Sequence, residues 1–158
     1  MSNAMNKPKV AFVVGHSHWG KSETLAALTD GDRHQSTVMI AGERFFVRRT
    51  SNDDIPESYL KFISKVDPSL RPAIIAALCP DFDDARKDTK WVLETLKARG
   101  YRMYFWILGS EYKTGKTMPA TDVARLQDFG HISVFSGVAE ASVRALAFRK
   151  YIAEIGAA

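Results

Sequence analysis

Apolar residues along the chain fall into short runs, and the segments between them carry apolar positions at helical spacing. The first run, Val10-Ala11-Phe12-Val13-Val14, predicts a strand over about Lys9 to Val14. A helix is expected from about Gly20 to Thr29, with Leu25 and Leu28 on one face and Asp30-Gly31 as its stop. Thr37 to Ile40 and Arg44 to Arg49 read as extended runs joined by a hairpin turn at Ala41-Gly42-Glu43. Thr50 to Asp54 is a loop offering caps to a helix that starts near Pro56, shows Leu60 and Ile63 on its apolar face and ends at Asp67-Pro68.

The second half repeats the alternation. Ala73 to Cys79 is continuously apolar, as in a strand covered on both faces of a parallel sheet. A helix follows over about Ala85 to Arg99, with Asp83 and Asp84 as N-cap candidates and Gly100 closing it. Tyr101 to Leu108 is another buried strand whose aromatics belong to the core. Ser110 to Gly130 is irregular apart from a helical turn around Asp122 to Phe129; His131 to Phe135 is the last strand. A final helix over about Val138 to Ile155 carries Val138, Ala141, Ala145, Phe148, Ile152 and Ile155 as one stripe, which leaves Arg144, Arg149 and Lys150 as a solvated face. Strands alternating with helices imply an α/β domain, mostly parallel, with an antiparallel edge hairpin.

Between the first strand and the first helix lies Gly15-His16-Ser17-His18-Trp19-Gly20-Lys21-Ser22, a complete G-x-x-x-x-G-K-S followed by Glu23. Strand, glycine loop and helix form the context in which backbone N–H groups and a helix N-terminus hold phosphate. The stretch resembles the P-loop (Walker A) nucleoside triphosphate hydrolase superfamily. That resemblance implies a three-layer sheet of about five strands with the edge hairpin, binding of ATP or GTP with Mg²⁺, and NTP hydrolysis or kinase-type phosphoryl transfer. It implies that Lys21 reaches the β- and γ-phosphates and that the Ser22 hydroxyl sits on Mg²⁺. His16, His18 and Trp19 are bulkier than is usual there: they either add contacts to the ligand or pack and point away. Ser17 keeps the middle of the loop tight.

Turnover needs a carboxylate at a neighbouring strand end to hold the metal. Asp81, after the run ending at Cys79, is the first candidate for metal and catalysis, and Asp83 the second. Asp53 or Asp54 is the rival, ranked lower because Arg48 and Arg49 interrupt the run before it. If the chain is of the kinase type, Ser110 to Gly130 would be a lid, with Lys113, Lys116 or Arg125 reaching phosphate. The guanine-reading N/T-K-x-D motif is absent, and so is D-x-x-G. ATP is therefore the default nucleotide. A GTPase-like relative with lost markers, in which Ser136-Gly137 would contact the base, and a non-catalytic switch or assembly module are the alternatives. Gly115-Lys116-Thr117 imitates a second loop ending but lacks the upstream glycine and runs into Pro119.

Composition narrows this little. The chain has 158 residues, 46% hydrophobic and 25% charged, enough for one domain, assigned to residues 5–158. Met1 to Ala4, ahead of Met5, reads as a leftover of recombinant expression. A net charge of +4 is too mild to indicate nucleic acid. The single Cys79 excludes an internal disulfide and reads as a core residue. No run approaches the roughly 18 apolar residues of a membrane span, so a cytoplasmic location is expected. A protein partner or homo-oligomer is compatible with all of this.

Overall fold

In a computed structural model the described residues are 7–31, 35–111, 114–136 and 139–157. The expected roles of Lys113 and Gly137, and the expected helix start at Val138, lie outside them. In chain order the elements are β1 Lys9–Val14, α1 Lys21–Leu28, β2 Thr37–Ile40, β3 Glu43–Arg48, α2 Pro56–Lys65, β4 Ala73–Leu78, α3 Thr89–Ala98, β5 Arg102–Leu108, α4 Ala120–Gln127, β6 Gly130–Phe135 and α5 Ala141–Ala157. They build one six-stranded sheet in the order β2-β3-β4-β1-β5-β6, where about five strands were expected. β2 pairs antiparallel with β3, and every other pairing is parallel. The hairpin turns through Ala41 and Gly42, both at positive φ, which suits the twist of a two-residue connection.

Burial explains the apolar runs. All six residues of β1 and of β4 are buried, because helices cover both faces of the sheet centre. α1 packs against α5, and α2 against α3. Across the β1–β5 pairing the Phe12 and Phe105 rings stack at 5.3 Å. The topology places β4 between β1 and β3, so the chain leaves β1, β3, β4 and β5 toward the same end of the sheet.

Two expectations about helices are corrected. α3 begins at Thr89, not near Ala85. The Asp84 carboxylate accepts a hydrogen bond from the Arg86 backbone N–H, closing a local turn, and Asp88 stands at the helix N-cap in the left-handed region. The Asp83-Asp84 cap signal therefore serves a turn rather than the helix. On α5 the basic residues are not a solvated face. Arg144 is only 8% exposed, because α5 lies on α1 and its guanidinium donates to Thr24 Oγ1 (2.8 Å), the Ala139 carbonyl (2.5 Å) and the Gly20 carbonyl (3.2 Å). Arg149 donates to the carbonyls of Met39 and Leu28 and is half-buried, and Lys150 alone of the three is exposed.

Candidate phosphate-loop site

The loop begins where β1 runs out of partners. The Gly15 N–H donates to the Leu78 carbonyl, carrying the β1–β4 pairing one residue further. A side chain at Gly15 would press on Trp19, Leu108 and Lys21 at 3.2–3.4 Å. The chain then folds over itself, with the Trp19 N–H donating to the His16 carbonyl, His18 at φ 68° and Gly20 at φ 95°. Gly20 is the position that requires glycine: its φ is left-handed, and a Cβ there would meet Arg144 Nη2 at 2.6 Å. Arg144 thus holds the loop-to-helix junction from behind.

α1 opens at Lys21 with no side-chain cap, and Ser22 and Glu23 are exposed on its first turn. Lys21 does not extend into solvent. Its ammonium donates to the His16 carbonyl at 2.9 Å and lies 3.6 Å from Asp53 Oδ1, and the two side chains are 6% and 4% exposed. The other Asp53 oxygen accepts from the Ser17 hydroxyl at 2.5 Å. Asp53 Oδ1 is buried and has no hydrogen-bond partner.

Asn52 sets this geometry, and sequence reasoning passed over it. Its buried side-chain amide donates to the Cys79 carbonyl (3.2 Å), the Lys87 carbonyl (3.2 Å) and Thr89 Oγ1 (3.0 Å), while its Oδ1 accepts the Cys79 N–H at 2.7 Å. The loop after β3 is thereby pinned to the end of β4, which presents the next residue, Asp53, to Lys21. No local signal marked it: Ser51 and Asn52 sit in a polar loop after β3, yet both are fully buried.

The other candidate carboxylates point elsewhere. Asp81 pairs with Lys87 at 3.3 Å. Asp83 is exposed and lies 3.4 Å from Arg125, whose guanidinium also covers the Phe82 ring. Asp54 accepts the Ser51 N–H within its own turn. Of the cations expected from a lid, Arg125 is thus engaged by Asp83, and Lys116 is exposed. Gly115 to Thr117 is a turn ending in a bridge between Thr117 and Ser110, as the missing upstream glycine implied.

The bulky loop residues divide. Trp19 is 6% exposed and packs into the core, and His18 is exposed. The His16 ring turns inward: Nε2 is 3.0 Å from Asp122 Oδ2 on α4, and Nδ1 is 3.9 Å from Cys79 Sγ. Burial pushes the Cys79 thiol up to about 11, with the nearby Lys21 charge working against that rise. A cleft of about 400 Å³ lies beside the loop, lined by His18, Trp19, Gly20, Glu23, Glu140 and Arg144 among others.

Among the described residues no group of three or more His, Cys, Asp or Glu side chains is arranged to hold a metal. Mg²⁺ needs only one or two protein oxygens, since phosphate oxygens and water complete its shell. The orphaned Asp53 Oδ1 and the exposed Ser22 hydroxyl are suitable hard donors. No helix among the described residues is long and apolar enough to cross a membrane. Searches of family models, curated proteins and solved structures found no match to this chain.

Proposed function

We propose that the chain binds a nucleoside triphosphate with Mg²⁺ at Gly15 to Ser22 and hydrolyses it or transfers its terminal phosphoryl group. The observation that carries this reading is the buried Lys21–Asp53 contact at the start of α1, directly beneath a loop of the G-x-x-x-x-G-K-S pattern. A lysine and a carboxylate held together there answer to the two charges such a ligand brings. Lys21 would exchange the His16 carbonyl for phosphate oxygens. Asp53 would turn its unpartnered oxygen to the metal, directly or through water, and Ser22 would supply the second protein oxygen. Asp53 therefore replaces Asp81 as the metal-side carboxylate, and no role in turnover is assigned to Asp81. The cleft beside Trp19 and Glu140 would take the nucleoside end. ATP is the expected nucleotide, since the guanine-reading motif is absent.

Thermal-shift measurements with ATP, GTP, ADP and inorganic phosphate, each with and without Mg²⁺, test this. A Mg²⁺-dependent rise in Tm that grows with ATP concentration supports it, and release of phosphate from ATP would establish turnover. No shift with any nucleotide would sink the proposal.

A further inference from the structure

A second charged surface lies where α2 packs against β3. A cleft of about 440 Å³ is lined by Arg48, Lys61, Lys65 and Arg71, with Phe62 and Leu70. Among the described residues none of these four cations forms a salt bridge. The single carboxylate in the lining, Asp67, accepts the backbone N–H and hydroxyl of Ser69 at Oδ1 and offsets only one of the four positive charges. The guanidinium groups are braced: Arg48 lies 5.1 Å over Phe62, Arg71 lies 3.8 Å over Phe46, and the two rings stack at 5.6 Å. Arg48 also donates to Ser58 at 2.8 Å. Four positive charges around one cleft repel one another, a cost that an anionic partner removes.

Two features decide what kind of anion. The aromatic rings are already covered by guanidinium groups, so they offer no face for stacking bases. Leu70, at 79% exposure, stands on the rim of the cleft as an apolar anchor beside the charges. We propose that this face docks an acidic segment of a partner protein, its carboxylates on Arg48, Lys61, Lys65 and Arg71 and an apolar side chain against Leu70. Arg48 and Ser58 also line a neighbouring cleft that reaches Ser22, and α2 follows the loop that carries Asp53. The partner would therefore sit next to the phosphate loop. Docking itself does not depend on the nucleotide reading, and it is tested without nucleotide.

The probe is a short fluorescent peptide of repeated Glu and Leu, followed by anisotropy at low salt. Wild-type protein should bind it, raised salt should weaken binding, and Lys61→Glu with Lys65→Glu should weaken it about tenfold or more. Both lysines are exposed, and a melting curve of the variant shows whether it has folded. Lys61→Gln with Lys65→Gln, which removes charge without reversing it, should fall between the two. Leu70→Ser should weaken binding several-fold, and α2 amides should gain exchange protection on adding peptide. The proposal is overturned if the peptide does not bind, if the folded charge-reversed protein binds as well as wild type, or if oligothymidylate of equal charge binds more tightly than the peptide.

Discussion

Asp53 Oδ1 lies 3.6 Å from Lys21 Nζ, although Lys21 opens the helix after β1, Asp53 lies in the loop after β3, and β4 separates those strands. Asp53→Asn keeps the shape and the Ser17 contact but removes the charge offered to a metal. Under the proposed function, Mg²⁺-dependent turnover should fall about a hundredfold or more in this variant. Asp81→Asn, which breaks only a partly exposed pair with Lys87, should stay within about twofold of wild type. Mg²⁺ titration of phosphate release compares them directly; equal losses would return Asp81 to the site.

Lys21→Ala tests ligand binding and packing together. The resemblance implies a lysine reaching for phosphate, yet Lys21 is buried against Asp53. Its removal leaves a carboxylate at 4% exposure with the Ser17 hydroxyl as its remaining hydrogen bond, and should cost about 1–3 kcal/mol in denaturant unfolding. Lys21→Met with Asp53→Asn should recover part of that stability without recovering nucleotide binding. A Lys21→Ala protein as stable as wild type would mean the pair contributes nothing to the fold.

The junction held by Arg144 predicts two unfolding results. Arg144→Ala removes charge-assisted hydrogen bonds to Gly20, Thr24 and Ala139 and should destabilise by about 1.5–3 kcal/mol. Arg144→Lys should rescue little, since an ammonium cannot reproduce the planar fork. Gly20→Ala faces both a left-handed φ and the Arg144 guanidinium, so it should cost at least about 1 kcal/mol.

The raised Cys79 thiol gives a pH dependence with a defined sign. Its ordinary value of 9.0 moves up to about 11 in the fold, mainly through burial. Between those values the unfolded chain has released the proton and the native chain has not, so stability falls as pH rises through that window. The loss from this group is on the order of 2 kcal/mol once pH passes 11. Below pH 9 the full contribution is present. Unfolding curves of wild type and Cys79→Ala at pH 8 and pH 10.5 separate this thiol from the buried Tyr59, whose hydroxyl is shifted upward for the same reason. Alkylation of native protein at pH 8 should be slow, and denaturant should accelerate it.

His16 and Asp122 join the glycine loop to α4. Asp122→Asn should speed amide exchange in α4 several-fold while leaving exchange in β4 unchanged. Equal exchange in both proteins would show that α4 is held by Leu126 and its apolar neighbours alone.

The strands were legible because the sheet centre is covered on both faces, which writes itself as uninterrupted apolar runs at β1, β4 and β5. The glycine loop was legible because its demands are local. Arg144 was misread because a buried guanidinium paired to carbonyls looks, in a helical pattern, like any solvated base. Asp53 ranked low because Arg48 and Arg49 interrupt the apolar run before it. β3 is nonetheless second from the edge: Arg49 donates to Thr29 and to the Gln35 carbonyl, and Arg48 lies on Phe62. Asn52 could be recognised only once β3 and β4 were adjacent, since every partner it has lies between Cys79 and Thr89.

Among the described residues β1 pairs only with β4 and β5, and its nearest partner in sequence begins at Ala73. During synthesis the strand that launches the glycine loop therefore emerges before its partners and stays unpaired until Ala73 to Leu78 have followed. The β2–β3 hairpin can close on its own in the meantime, but Val10 to Val14 present apolar side chains and unpaired backbone to whatever is near. A nascent chain arrested before Ala73 should be a better client for chaperones than one arrested after Leu108, and the loop would acquire its shape only late in translation.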